Sequence, residues 1–235
     1  MSGRYYKYMG RELPSVTTIT GLLDKPALVG WAGNAACDYV LDEVGKQTWP
    51  ITLQAFSSIV EAARTNFRKV GRKAMDIGSK VHAAIEEYLQ SGREPFRPED
   101  AVLSGFLAFL EWQGKHRLEV ITTEQTVYAE RYAGTCDLIC KLNGKRYLID
   151  FKTSKLADDA GAYPEHRYQV AAYRQTDAEI EGCGILYLNK ETGKPLWRDS
   201  SGTYDGDRAV FNILVDLWWA SHKNKSKQFN DEVKK

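Results

Sequence analysis

The spacing of hydrophobic and polar positions divides the chain near residue 117. Up to Lys115 apolar residues recur with a helical period; from Leu118 they turn to the alternation of strands. Helices are predicted over Ala27–Val44, Gln54–Arg72, Asp76–Gln90 and Ala101–Lys115. The last carries Val102, Phe106, Phe109 and Leu110 at helical spacing, and Ser91-Gly92-Arg93-Glu94-Pro95 separates it from the one before. Ahead of these lies a Tyr- and Thr-rich segment, Arg4–Thr20, in which Leu13-Pro14-Ser15 reads as a helix start with Ser15 as cap. Strands are predicted over Leu118–Tyr128, Gly134–Leu142, Lys145–Lys152 and Gly184–Asn189. Pro164 opens a helix to about Arg174, and Val210–His222 is amphipathic through Phe211, Leu214, Leu217 and Trp218. Helices, then an antiparallel meander, then helix and strand predict an α/β or α+β domain with a helical N-terminal part.

Composition narrows the class. At 235 residues, 43% hydrophobic and 27% charged, the chain has an ordinary globular composition and is long enough for a full core. Lys and Arg number 32 against 31 Asp and Glu, a net charge of +1, which argues against a globally basic nucleic-acid coat protein. Any contact with nucleic acid must come from local clusters. One such cluster is Arg64, Arg68, Lys69, Arg72, Lys73 and Lys80, interrupted only by Asp76; it suits a solvated helix face or a phosphate track. Tyr5, Tyr6, Tyr8 and Trp31 suit either ordinary packing or stacking on unpaired bases. Cys37, Cys136, Cys140 and Cys183 form no C-x-x-C pair, so a thiolate zinc site is not expected. The start of the chain lacks the apolar stretch of a secretory signal, and Val102–Trp112 is too short to span a bilayer. A reducing, intracellular setting and no membrane partner are the expectation.

The strongest local signal is Asn143-Gly144 between two strand-like runs, the mark of a two-residue type I′ hairpin. Such a turn sets Leu142 against Lys145, and counting outward sets Asp137 opposite Asp150 and Thr135 opposite Lys152. Those four side chains share one face. Cys136, Leu138, Cys140, Leu142, Tyr147, Ile149 and Phe151 share the other, which reads as the core side. Carboxylates directly opposite have Cβ atoms about 5 Å apart and repel, so a divalent cation between Asp137 and Asp150, with Lys152 alongside, is the simple way to offset the cost. The alternative is a pair that is solvated or held by arginine. On the helix from Asp76, His82 follows Gly78 by four residues and shares a face with Glu86; alone it reads as an ordinary packed histidine. Gln169 and Tyr173, also one turn apart, read alone as a polar stripe.

Taken in order, Gly78-x-x-x-His82, Gly134-Thr135-Cys136-Asp137, Asp150-Phe151-Lys152 and Gln169-x-x-x-Tyr173 resemble the RecB-like exonuclease branch of the PD-(D/E)XK nuclease superfamily. Leu13-Pro14-Ser15-Val16-Thr17-Thr18-Ile19 and Trp31 resemble its phage-type and mitochondrial-type members more loosely. The resemblance implies a restriction-endonuclease-like α/β fold, a mixed central sheet flanked by helices. It implies one nuclease domain over 1–235, with a mainly helical substrate-binding part at 1–75, a catalytic core at 76–222 and a polar tail at 223–235. His82, Asp137, Asp150 and the Phe151 carbonyl are the implied ligands of Mg²⁺ or Mn²⁺, and an imidazole ligand favours Mn²⁺ as much as Mg²⁺. Lys152 is the implied water-activating residue. Gln169, Tyr173, Ser79, Thr135, Arg72, Lys73, Lys155 and Arg167 are the implied substrate contacts, with Glu86 and Glu124 in support; an acidic residue often precedes the G-x-x-D strand in the family. Some relatives hold an iron–sulfur cluster through one upstream and three downstream cysteines; only Cys183 lies beyond Gln169, so no cluster is expected.

The implied activity is metal-dependent hydrolysis of DNA from single strands or ends, in recombination, repair or genome processing, with a recombination or replication protein as partner. The implied location is the cytoplasm, or a host's cytoplasm for a phage protein. Two alternatives remain open: a module of the same fold that binds without cutting, and a structure-specific endonuclease.

Overall fold

The computed structural model describes residues 3–153 and 161–222. They fall into two compact units, Asp24–Ser79 and the combination of Met1–Leu23 with Lys80–Lys235. In chain order the elements are β1 (Tyr5–Tyr8), β2 (Arg11–Pro14), α1 (Val16–Thr20), α2 (Pro26–Gly45), α3 (Leu53–Ser91), α4 (Asp100–Gln113), β3 (Leu118–Tyr128), β4 (Ala133–Leu142), β5 (Lys145–Lys152), α5 (Pro164–Arg174), β6 (Gly182–Leu188), β7 (Pro195–Asp199) and α6 (Tyr204–Ser221).

The fold class is as expected: a mixed five-stranded sheet, ordered β3-β4-β5-β6-β7, with helices against it. Neighbouring strands are antiparallel except β5 and β6, which run parallel. A parallel neighbour needs a crossover, and α5 lies in the connection between them. The Asn143-Gly144 turn forms with both residues at positive φ, 51° and 90°, and pairs Leu142 with Lys145 as the sequence predicts.

One expectation about the faces needs correction. The side of the sheet that carries the aspartates is not a solvent face. Ile139, Leu148, Cys183, Ile185 and Tyr187 on that side pack with Val170 and Tyr173 of α5 and Phe211, Leu214 and Trp218 of α6. The opposite side is buried as well: Phe151 meets Phe109 of α4 edge-on at 5.7 Å between ring centroids. A strand covered on both faces loses the clean alternation of a half-exposed one.

Two other differences concern elements. The helices expected at 54–72 and 76–90 are one continuous helix, α3. Lys73, Ala74 and Met75 favour helix, no proline intervenes, and an internal glycine such as Gly71 or Gly78 costs only about 1 kcal/mol. The Tyr-rich opening is a hairpin, β1 against β2, turned at Met9-Gly10 with both residues at positive φ. It delivers the chain to Ser15, whose hydroxyl accepts the Thr18 N–H at 2.9 Å as the expected cap of α1. Lys155 and the tail at 223–235 lie outside the described residues.

Candidate metal and catalytic site

The site is assembled from β3, β4, β5, α5 and the His82 turn of α3. Continuing the register of the Asn143-Gly144 hairpin would set Asp137 against Asp150, but the ladder ends one pair earlier, at Leu138 opposite Ile149. Beyond it the Phe151 N–H donates to Asp137 Oδ2 at 2.7 Å, so the side chain of one acid takes the place of a backbone acceptor. His82 reaches the same oxygen from the other side, with Nδ1 3.6 Å away, and its ring stands edge-on to Phe151 at 5.8 Å. Glu124 on β3 completes the group. It falls between the pairs Thr123–Leu138 and Gln125–Cys136, across from Asp137. Its φ is +47°, a left-handed conformation that a non-glycine residue adopts at a cost of about 1–2 kcal/mol. Strain of that kind at a cluster of chemical groups is a mark of a functional position.

His82, Glu124 and Asp137 each offer one ligand atom, and those atoms all lie within 4.8 Å of one another. One imidazole nitrogen and two carboxylate oxygens suit Mn²⁺, and the carboxylates suit Mg²⁺. Glu124, expected only in support, thus belongs to the candidate ligand set itself. The signal available in the sequence was its place as an acid ahead of the Gly134-x-x-Asp137 strand, on a strand that also carries Glu119. The register that brings it opposite Asp137 depends on a shift between Val120 and Thr122, which no sequence pattern announces.

Asp150 stands outside that trio and is almost wholly buried. Its Oδ1 accepts the Gln169 side-chain N–H at 3.0 Å, and its Oδ2 forms an ion pair with the Lys152 ammonium. No hydrogen bond of good geometry reaches Oδ2 among the described residues. Gln169 also donates to the Tyr173 hydroxyl at 3.1 Å, so the pair that the resemblance implies as substrate contacts forms a buried bridge to the acid. The ring of Tyr173 explains Gly134. A Cβ on Gly134 would come within 2.4 Å of Tyr173 Cε1, so no larger residue fits there without displacing the ring.

Electrostatics separates the acids. Burial alone would raise Asp137, but the adjoining His82, the Lys152 charge and the Phe151 N–H outweigh it, and its pKa is lowered. Asp150 is pushed up to about 6, chiefly by burial and then by the Asp137 charge, against the pull of Lys152. Burial also raises Glu124, with the charges of Asp137 and Glu86 adding to it. For His82 burial lowers the pKa, but the carboxylates of Asp137 and Asp150 more than reverse it.

The remaining expected residues are distributed as follows. Thr135 Oγ1 lies 3.0 Å from the Tyr6 hydroxyl and 3.3 Å from Thr126 Oγ1. Glu86 accepts from Gln90 at 3.0 Å, and Gln90 donates in turn to Thr123 at 2.8 Å, which ties α3 to β3. Arg167 on α5 is 3.5 Å from Asp207 of α6. Arg72, Lys73 and Ser79 belong to the Asp24–Ser79 unit, where the Ser79 hydroxyl donates to the Met75 carbonyl at 3.1 Å. Tyr6, one of the aromatics suited to packing or base stacking, reaches Thr135 by a tertiary contact that its sequence context does not announce.

The chain matches no family model and no curated protein. Among solved structures it is similar to the protein SSO0001, at 13% identity over 80% of this chain and 86% of that one, with a TM-score of 0.34. It is similar to an alkaline exonuclease from Laribacter hongkongensis, at 10% identity over 71% and 87% of the two chains, TM-score 0.33. A phage-related exonuclease from Haemophilus somnus matches at 12% identity over 60% and 82%, TM-score 0.28. Likeness at this level leaves the functional reading to the chemistry of the site. No helix of the described residues is long and apolar enough to cross a membrane.

Proposed function

We propose that the protein is a metal-dependent nuclease that hydrolyses DNA phosphodiester bonds, acting on single strands or ends. The observation that carries this reading is the convergence of His82, Glu124 and Asp137 beside the Asp150–Lys152 pair. A divalent cation held there would acidify water and neutralise phosphoryl charge. His82, Glu124 and Asp137 would hold it, with the Asp150–Lys152 pair contributed by the neighbouring strand.

The chain's own residues supply the rest. Lys152 carries a fixed positive charge and a proton on a head that Asp150 holds in the site. That head balances charge on the phosphate, holds the attacking water through an N–H donor and can give its proton to the leaving oxygen. Gln169 and Tyr173 fix the Asp150 carboxylate, as buried amide and phenol groups with satisfied hydrogen bonds do. Recombination, repair or genome processing is the setting this chemistry serves.

The test uses labelled linear and circular single-stranded DNA with Mn²⁺ or Mg²⁺. The expected result is loss of the linear strand, an intact circle, and no hydrolysis in chelator or in Asp150→Asn. Full activity of Asp150→Asn, or in excess chelator, rejects the reading. Cutting of the circle converts it to an endonuclease, and binding without degradation to a non-cleaving module.

A further inference from the structure

Tyr8 and Tyr128 lie parallel at the surface beside this site. Their ring centroids are 4.3 Å apart and their planes 17° from parallel. Both are more than a third exposed, at 39% and 38%. Tyr5 and Tyr6 pack against the core, whereas Tyr8 and Tyr128 are not part of that cluster. Two large flat rings held face to face in contact with water have a π surface to offer.

Their position is tied to the candidate centre by a short chain of contacts. Tyr6 meets Tyr128 edge-on at 6.5 Å and places its hydroxyl 3.0 Å from Thr135, which shares a strand face with Asp137 two residues on. The Arg4 guanidinium lies 5.0 Å from the Tyr6 ring centroid, which puts a cation beside the same wall. A cavity of about 270 Å³ borders both rings, with Arg11, Leu13 and Glu130 also on its walls. Arg11 and Glu130 give that cavity one basic and one acidic wall.

We infer that the Tyr8–Tyr128 pair is a stacking platform for an unpaired nucleobase of a single-stranded DNA end whose backbone passes Asp137. This rests on the phosphodiester-cleaving reading above and names the substrate it accepts. Every base has a π face, so such a platform tolerates any sequence, but a paired base inside a duplex has both faces covered by its neighbours. The N-terminal hairpin is then a substrate wall, and the enzyme selects unpaired ends.

The test measures binding and cleavage separately. Binding of a fluorescent oligothymidylate is read by anisotropy in chelator for wild type, Tyr8→Ala, Tyr8→Phe and Tyr128→Ala, and again with an oligonucleotide abasic along its length. Cleavage of the same strands is read in Mn²⁺. Each alanine variant is expected to weaken binding roughly tenfold, the size of one base–aromatic stack. Tyr8→Phe keeps the ring and the affinity, and on the abasic strand wild type and alanine variants bind alike. Equal affinities of wild type and alanine variants for oligothymidylate overturn the inference. So does an equal loss on the abasic strand, or no binding of oligothymidylate by wild type. Absence of cleavage by wild type that still binds through these rings overturns the nuclease reading and leaves the platform standing.

Discussion

Asp137 accepts a backbone N–H and faces an imidazole, while Asp150 is enclosed by a lysine head and a buried amide. The two acids come from strands joined by one two-residue turn, yet one is held below the ordinary carboxylate range and the other above it. The difference comes from the partners, not from depth alone, since both are shielded from water. Asp137 is kept ionised by groups that bear or share positive charge. Asp150 has Lys152 too, but the neighbouring Asp137 charge and its fuller enclosure prevail. Carboxylates pushed apart in this way suit different tasks: one is fit to stand as a ligand, the other to change its charge with what binds beside it.

The largest effects that separate the two corners concern turnover. Lys152→Ala is expected to lower kcat by about 10²–10⁴-fold, the range for a positioned proton-transfer group, with little change in metal affinity. Steady-state assays with Mn²⁺ titrated to saturation measure it; an unchanged kcat would remove Lys152 from the chemistry. Glu124→Gln and His82→Ala act on the other corner. Each is expected to weaken Mn²⁺ binding by at least 10–100-fold in calorimetric titration, more than the loss typical of outer-shell partners. Equal affinity in Glu124→Gln would return that residue to a supporting part. Gln169→Ala is expected to lower kcat about tenfold, because Asp150 loses the hydrogen bond that fixes it. A loss confined to KM would place Gln169 on the substrate instead.

The smallest effect is on stability without metal. An Asp150 pKa near 6 in the fold, against about 4 in the unfolded chain, means the native state binds more protons between those values. Stability therefore falls as pH rises from about 4 to 6, by up to roughly 3 kcal/mol, and the penalty is absent below about pH 4. In chelator at pH 8, Asp150→Asn should raise Tm by several degrees over wild type, and the gap should close as pH falls toward 4. A variant less stable than wild type at pH 8 would show that the Lys152 pair outweighs burial.

The two hairpins show how much of this was readable in the chain. Asn143-Gly144 carries its own turn geometry, so the register, the strand limits of β5 and the shared face of Asp137 and Asp150 follow from local rules. Met9-Gly10 offers no such mark, since methionine is an unusual occupant of a left-handed position, and β1 and β2 went unseen. His82 was found only because its spacing from Gly78 fits a family pattern. Its approach to Asp137 is a tertiary contact between a helix and a strand more than fifty residues apart. The parting of the strands before Asp137 and the twisted backbone of Glu124 depend on side chains satisfying one another across three elements. Periodicity carries no information about either.

The proposed chemistry requires one cation bound among His82, Glu124 and Asp137. Crystals soaked in Mn²⁺ and measured at the manganese absorption edge test it most directly. The expected result is an anomalous peak in contact with ligand atoms of all three residues, lost in Asp137→Ala. A peak elsewhere on the molecule, or none beside Asp137, contradicts it.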